Sequence, residues 1–154
     1  MIKLVRIDHR LMHGQVAFAW TNFIGADCIL IANDAVAGDE FRKSTLRLAK
    51  PAGVKLVFKT IDDSIKSLGS GVTDSYKLFI ILETIHDALR FIEGYPEIKF
   101  INLGLSRKQE SSVTIGKAVY ATPEEMEELK TMISLGVEIE MRQGPKDPGT
   151  VLKL

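Results

Sequence analysis

Two short runs of consecutive apolar residues constrain the fold of this chain more than any other feature. They are Cys28–Ala32, which reads CILIA, and Leu78–Leu82, which reads LFIIL. An apolar run of this length predicts a strand buried on both faces, and such strands belong to parallel sheets covered by helices. Strand-like runs and helix-like patterns alternate along the rest of the chain. The 154 residues therefore predict one domain, residues 1–154, built on an open, mostly parallel α/β sheet with helices on both faces.

Short blocks of apolar residues predict the other strands. They lie at residues 2–7, 54–58, 99–103 and 137–141. Residues 117–121 favour a short edge strand, residues 106–116 match no regular pattern, and the Gly- and Pro-rich tail over residues 143–154 favours irregular chain.

Helices are predicted between the strands. Threonines that precede a helical apolar period predict N-caps at Thr60, Thr84 and Thr122, and Glu125 would complete a capping box with Thr122. Apolar spacing predicts a first helix with Val16, Trp20, Phe23 and Ile24 on one face. It also predicts a helix over residues 39–50 with Phe41, Thr45 and Leu48 on one face.

The charge balance excludes several classes of partner. Twenty Lys and Arg residues balance twenty Asp and Glu residues, and the chain has no basic tract that would bind nucleic acid and no basic amphipathic helix for lipid. The single cysteine, Cys28, lies in an apolar run, which predicts no disulfide and favours a reducing compartment. No apolar run approaches the roughly 18 residues of a membrane-spanning helix, and the apolar pattern predicts a strand straight after Met1, so we expect a cytoplasmic protein without a signal peptide.

The loop between the first strand and the first helix carries the candidate chemistry. Arg6, Arg10 and His13 surround the point where the apolar period changes, and Gly14 lets the backbone approach a ligand closely. A helix that starts there directs its unpaired N–H groups at the loop and so forms an anion site. A neutral imidazole at His13 could attack a phosphoryl group while the two arginines bind its oxygens. Asp8 could hold an arginine or the imidazole in place.

Other interpretations of these residues remain open at this point. His13 could be a polar loop residue without chemistry, Arg6 could extend from its strand into solvent, and Asp8 could simply end the strand. His9 and His13 have metal-ligand spacing only in a helix, which Gly14 disfavours, so no metal site is predicted. Parallel strands would bring three more polar segments to the same edge of the sheet. These segments are Asn33-Asp34, Glu83-Thr84 and Asn102–Gly104.

The loop also resembles a known signature. Arg6 to Val16 read R-I-D-H-R-L-M-H-G-Q-V, similar to the R-I-D-D-R-L-I-H-G-Q-V of the IIB subunits of the mannose/fructose/sorbose family of the bacterial sugar phosphotransferase system. The likeness continues at Trp20 and in four further segments, the last of which is G-V-E-I-E at residues 136–140. Those segments include I-A-N-D-A-V-A at 31–37, A-K-P-A-G-V at 49–54 and N-L-G at 102–104.

The resemblance implies a seven-stranded sheet with an antiparallel strand near one edge, and a phosphoryl relay. His13 would accept a phosphoryl group from a phosphohistidine on a IIA partner and pass it to a sugar carried by the membrane subunits IIC and IID. Arg6, Arg10, Gly14 and Gln15 would bind the phosphate, with no cofactor. Supporting roles would fall to a further set of polar residues at the same edge, namely Asp8, His9, Asn33, Asp34 and Asn102.

Two positions depart from the family pattern. His9 stands where Asp is usual, and Leu103-Gly104-Leu105 replaces the more usual V-G-G. An alternative to the relay is a regulatory module that binds a phosphate or a nucleotide without covalent chemistry. His86, on the exposed side of a helix, is expected to be simply solvated. The sequence indicates neither which sugar is carried nor whether the chain forms a homodimer.

Overall fold

A seven-stranded sheet forms the centre of the computed structural model, which describes all 154 residues. The strand order is β3-β2-β4-β1-β5-β8-β9, and every neighbouring pair is parallel except β8 and β9. The sheet strands are β1 (Ile2–Asp8), β2 (Cys28–Ala32), β3 (Lys55–Lys59), β4 (Leu78–Leu82), β5 (Phe100–Leu105), β8 (Glu138–Met141) and β9 (Thr150–Val151). The predicted open parallel sheet is confirmed, and so is its antiparallel strand at one edge.

Six helices connect and cover the strands. They are α1 (Gly14–Ile24), α2 (Asp34–Ala37), α3 (Glu40–Arg47), α4 (Ile61–Ser70), α5 (Ile85–Gly94) and α6 (Pro123–Ser134). The three predicted threonine caps are confirmed, since each hydroxyl accepts a hydrogen bond from an N–H in the first turn of α4, α5 or α6. The capping box of Thr122 and Glu125 is also formed. None of these helices is long and apolar enough to cross a membrane.

The helices form two layers with separate cores. Helices α1, α2 and α3 pack on the face of the sheet that presents Leu4, Ile29 and Phe79. Helices α4, α5 and α6 pack on the opposite face, around a larger cluster that includes Phe91 and Leu129. Because β2 and β4 are apolar on both faces, they contribute to both cores, as their sequences predict.

The helix predicted over residues 39–50 is present but shorter, and the face of Phe41, Thr45 and Leu48 is not buried. Asn33 caps a separate short helix, α2, and Asp39 caps α3, which ends at Arg47. Helix α3 buries no residue, and Phe41 is 81% and Leu48 88% exposed. The face predicted for α1 is also partly wrong, because this helix buries Ala17, Trp20 and Thr21 whereas Phe23 is 62% exposed.

Strands also occur in residues 106–121 and in the C-terminal tail. Residues 113–121 form a hairpin of β6 (Val113–Gly116) and β7 (Val119–Ala121), so the predicted edge strand pairs outside the main sheet. The tail is not wholly irregular, because β9 pairs with β8. Burial of Leu152 and the bond from its N–H to the Ile139 carbonyl, 2.8 Å, hold the tail on the sheet edge.

Candidate functional site

The loop between β1 and α1 is anchored by its own buried side chains. Leu11 and Met12 are 2% and 3% exposed and join the core beneath α1. Leu11 has a φ of 60°, a left-handed conformation that costs a non-glycine residue about 1 kcal/mol or more. The backbone N–H of Leu11 donates to the Asp8 carbonyl at 2.8 Å, which closes a tight turn. Burial of the Leu11 and Met12 side chains thus holds the strained turn, and His13, Gly14 and Gln15, which follow them, are exposed.

His13 occupies the N-cap position of α1 and is exposed. Its backbone is extended, with φ −135° and ψ 106°, and its side chain makes no capping hydrogen bond. The next residue, Gly14, has a φ of 46° and no atom within 4 Å of where a Cβ would stand. Helix α1 has no acidic residue in its first turn, so the N–H groups around Gln15 face an open position without a competing carboxylate. An exposed imidazole therefore stands at the N-terminus of a helix, where unpaired N–H groups favour negative charge.

Asp8 joins the two arginines of the loop. The Asp8 side chain is 2% exposed, and its carboxylate accepts hydrogen bonds from Arg6 Nη2 at 3.2 Å, the Arg10 backbone N–H at 2.9 Å and Arg10 Nε at 3.4 Å. The side chain of Arg10 remains 29% exposed, whereas that of Arg6 is 2% exposed. The Asp8 carboxylate therefore holds Arg10 at the surface beside the loop.

Arg6 is enclosed rather than extended into solvent, so the solvated interpretation is wrong for this residue. Its Nη1 donates to Asn102 Oδ1 at 2.5 Å and to the Arg142 carbonyl at 3.1 Å. Burial lowers the pKa of the Arg6 guanidinium, and the neighbouring Asp8 carboxylate opposes this effect. At Gly104 a Cβ would overlap the guanidinium carbon and both terminal nitrogens. The guanidinium thus lies flat against the backbone of β5, where only glycine leaves room for it.

Sequence reasoning missed the contribution of the residues that follow β8. The Arg142 carbonyl also accepts from Asn102 Nδ2 at 3.0 Å, and Trp20 Nε1 donates to the Gln143 carbonyl at 2.7 Å. The guanidinium of Arg142 lies 5.5 Å from the centre of the Trp20 ring. The sequence held one clue to this contribution, which is the place of Arg142 directly after a predicted strand. Parallel strands would bring the carboxyl end of that strand to the same edge of the sheet as Asp8.

His9 lines a polar cavity next to the loop. The cavity has a volume of about 210 Å³ and no apolar residue in its wall. The other residues of its wall are Glu83, Thr84, Ser106, Arg107, Gln109 and Glu125. The Nδ1 atom of His9 is buried without a hydrogen-bond partner in the protein. The position where this chain departs from the family signature thus opens toward β4 and β5, away from α1.

Asn33 and Asp34 lie at the same sheet edge but bond to other elements. Asn33 Oδ1 caps α2 through the Val36 N–H, and its Nδ2 donates to Glu83 at 3.0 Å. Asp34 accepts from the Ile61 N–H at 2.9 Å and pairs with Arg90 at 3.0 Å. The Ile61 bond and then Arg90 lower the pKa of the Asp34 carboxyl. Both residues therefore support the edge of the sheet, and none of their hydrogen bonds reaches His13.

The remaining histidine is not simply solvated, which corrects the prediction for His86. Its Nδ1 lies 2.5 Å from Glu128 Oε2, so the pair connects α5 to α6. This contact raises the pKa of His86.

No three His, Cys, Asp or Glu side chains of the chain stand close enough together to hold a metal ion.

Comparison with known proteins defines the class. The chain is 34% identical over 140 residues to a probable phosphotransferase enzyme IIB component of Streptococcus pyogenes serotype M6, covering 88% of this chain and 86% of that protein. It is 31% identical over 147 residues to the N-acetylgalactosamine-specific phosphotransferase enzyme IIB component 1 of Escherichia coli K12, covering 95% and 92%. These relatives indicate a phosphotransferase component of type IIB.

Solved structures and the family model agree with this class. The crystal structure of the IIBSor domain of the Klebsiella pneumoniae sorbose permease superposes with a TM-score of 0.91 at 29% identity, covering 97% of this chain and 92% of that one. The Escherichia coli N-acetylgalactosamine-specific IIB component 1 gives 0.93 at 29% identity, covering 99% and 100%. The model of the PTS system sorbose subfamily IIB component matches residues 2–153, so this chain belongs to that family. The family predicted from the loop signature is confirmed, and with it a role in phosphoryl transfer to sugar during sugar uptake.

Proposed function

We propose that His13 is the residue that carries the phosphoryl group. The observation that supports this most directly is the exposed, uncapped imidazole at the N-terminus of α1, next to an arginine that Asp8 holds at the surface. One ring nitrogen of His13 would attack the phosphorus of a phosphohistidine on a IIA protein. The P–N bond to the donor breaks as the new P–N bond forms, and the donor imidazole leaves. In the second transfer a sugar hydroxyl oxygen attacks the phosphorus, the P–N bond to His13 breaks as the P–O bond forms, and the hydroxyl proton passes to the imidazole of His13 as it leaves.

The surroundings of His13 suggest how the transferred charge is stabilised. The free N–H groups at Gly14 and Gln15 would bind one side of the phosphoryl group, and the exposed guanidinium of Arg10 the other. Arg6 has its terminal nitrogens engaged by Asp8, Asn102 and the Arg142 carbonyl. This arrangement favours a role in positioning Asp8, and through it Arg10, over the direct phosphate contact that the signature implies for Arg6.

The names of relatives support a proposal for the partners and for the class of sugar that accepts the phosphoryl group. The mannose-specific EIIAB component of Escherichia coli K12 is 29% identical over 148 residues, and this chain spans 46% of its length. That name joins IIA and IIB, which supports a IIA protein as the phosphoryl donor. Other relatives are named for sorbose and fructose, so we propose a monosaccharide as the acceptor. Full activity would be that of a protein-N(pi)-phosphohistidine–sugar phosphotransferase, acting at the cytoplasmic side of the membrane subunits IIC and IID.

Phosphorylation with a defined donor tests this proposal. The purified domain, residues 1–154, is incubated with a phosphorylated IIA protein, and the label is located by mass spectrometry under conditions that preserve phosphohistidine. We expect one acid-labile phosphate, on His13, and none in His13→Ala. His86→Ala is the matched control, because His86 is also exposed but lies on α5, and it should be labelled normally. Label on another residue, or full labelling of His13→Ala, would exclude the proposed role, and reversible binding of phosphate alone would favour the regulatory module.

A further inference from the structure

Two consecutive carbonyl groups after β8 bond to the two elements that flank the loop. The Arg142 carbonyl accepts from Arg6 Nη1 at 3.1 Å, and Arg6 belongs to β1. The Gln143 carbonyl accepts from Trp20 Nε1 at 2.7 Å, and Trp20 belongs to α1. An indole has one N–H and no acceptor, so this bond uses its whole hydrogen-bonding capacity. The segment that carries these two carbonyls therefore affects how the end of β1 and α1 lie relative to each other.

The side chain of Arg142 holds this segment in place. Its Nε donates to the Asp147 carbonyl at 2.9 Å, and its Nη2 donates to the Pro145 carbonyl. Within residues 142–147, here called the 142–147 turn, the Gly144 N–H also donates to Asp147 Oδ2 at 2.9 Å. The guanidinium thus binds the far end of the turn, while the carbonyl of the same residue binds Arg6 at its near end.

The guanidinium of Arg142 also packs against α1. Its carbon lies 5.5 Å from the centre of the Trp20 ring and 5.7 Å from that of Phe23, distances typical of cation–π contacts. Nη1 has only a loose ion pair, with Glu140 at 3.8 Å, and the side chain is 24% exposed. Because its other nitrogens are engaged by carbonyls of its own turn, Arg142 is placed to shape the turn rather than to bind the phosphoryl group.

We propose that Arg142 is a positioning residue for phosphoryl transfer. It fixes the 142–147 turn, and the turn fixes Arg6 on one side and α1 on the other. Arg6 contacts Asp8, which holds Arg10, so both partners proposed for the phosphoryl group depend on this turn. The inference rests on the function proposed for His13 and Arg10. Since a misplacement of about 1 Å at a reacting centre can slow a reaction about a hundredfold, a loosened turn should slow transfer without weakening the docking of a IIA protein.

The indole N–H of Trp20 reports the state of the turn directly. Trp20 is the only tryptophan, so its indole gives a single signal in a ¹H–¹⁵N NMR spectrum. Arg142→Met keeps an unbranched side chain against the ring but removes every donor. We expect the indole N–H of this variant to exchange with solvent about tenfold faster or more, because its bond to Gln143 opens more often. Unchanged exchange would overturn the proposal, and this readout does not depend on which residue carries the phosphoryl group.

Arg107→Met is the matched control. Arg107 also follows a strand, β5, at the same edge of the sheet, but its side chain is exposed and lines the polar cavity beside His9. The variant loses the same charge, and its indole exchange should equal that of the wild type. Accelerated exchange in both variants would mean that charge at this edge, and not the turn, controls the indole, which would also overturn the proposal.

Single-turnover transfer from a phosphorylated IIA protein, measured over a range of donor concentrations, tests the functional part. Arg142→Met should lower the rate at saturation about tenfold or more and leave the half-saturating concentration within about twofold. Arg142→Lys should restore part of the rate, because a lysine can still bond to one carbonyl of the turn. A higher half-saturating concentration with a wild-type rate at saturation would make Arg142 a docking contact and overturn the proposal.

Trp20→Phe approaches the same turn from α1. It keeps an aromatic ring and removes only the N–H that bonds to Gln143, so it tests the mechanism even if Arg142→Met folds poorly. It should slow transfer at saturation, and combining it with Arg142→Lys should cost less than the product of the two separate effects. Fully multiplicative effects would show that the two residues do not act through one turn and would overturn the proposal. Labelling of a residue other than His13 would instead reject the proposed function and leave the indole result intact.

Discussion

Replacing Gly104 with alanine probes the enclosed arginine that underlies the loop. Gly104 lies in β5 and its φ is not positive, so the backbone itself would accept alanine. The new methyl group would, however, overlap the guanidinium of Arg6, which is held on three sides by Asp8, Asn102 and the Arg142 carbonyl. Either the strand or the guanidinium must move.

The stability lost in Gly104→Ala depends on whether β5 shifts or the Arg6 guanidinium loses its partners. Overpacking alone costs about 1–3 kcal/mol, and breaking a buried charge pair costs about 3–5 kcal/mol. Because Asp8 retains Arg10 as a second partner, we expect a value where these ranges meet, about 3 kcal/mol. For a chain of this size each kcal/mol lowers the melting temperature by about 2–4 °C, so Gly104→Ala should melt about 6–12 °C lower. Phosphoryl transfer should slow as well, since Asp8 positions Arg10.

Thermal and urea unfolding measured in a double-mutant cycle would test this reasoning. Gly38→Ala is the control, because Gly38 has a φ of −103° and no atom within 4 Å of a new Cβ. Arg6→Met removes the guanidinium, so the Gly104→Ala penalty should fall below about 1 kcal/mol in that background. If Gly104→Ala melted like Gly38→Ala, or cost the same with and without the guanidinium, the steric argument would be refuted.

Four further predictions concern the loop and the α5–α6 pair. Arg10→Lys should transfer phosphate about a hundredfold more slowly, because a lysine cannot replace the two parallel donors of a guanidinium. A wild-type rate in stopped-flow transfer would exclude a two-point contact between Arg10 and the phosphoryl group. A chelator should leave the transfer rate between IIA and this protein unchanged, since helix N–H groups and arginine can balance the charge; a collapse of the rate would contradict this. Because the His9 cavity opens away from α1, His9→Asp should leave the phosphorylation equilibrium of His13 nearly unchanged, and a shift of about 1 kcal/mol or more toward the free form would show that the side chain at position 9 reaches the phosphate. Glu128 raises the pKa of His86, so the pair stabilises the fold below about pH 6.5 and loses this effect as pH rises through the raised value. The free energy of unfolding in urea should therefore be lower for His86→Gln than for wild type, and the difference should be larger at about pH 5.5 than at pH 8.5. A difference that does not depend on pH would contradict a stabilising His86–Glu128 pair.

Much of the fold could be predicted because it rests on local or strongly patterned signals. The caps at Thr60, Thr84 and Thr122 each act on an N–H three residues away, so a short stretch of sequence contains both partners. The strands β2 and β4 were predicted with their observed bounds, because an apolar run has no other stable place than the middle of a covered sheet. Predictions failed where apolar spacing did not match burial. In α3, Phe41 and Leu48 have helical spacing but are exposed.

The sequence by itself determined the alternation of strands and helices, the position of the polar loop between β1 and α1, and the family signature that includes His13. Only the tertiary structure decided what Arg6 does, because its partners Asn102 and the Arg142 carbonyl lie 96 and 136 residues away along the chain. Strand order is responsible for this, since β1 lies next to β5, and β5 next to β8. Whether an arginine at the end of β1 meets solvent or a ring of acceptors depends on which strands become its neighbours. That choice is made by the packing of the whole sheet, and no local pattern in the chain encodes it.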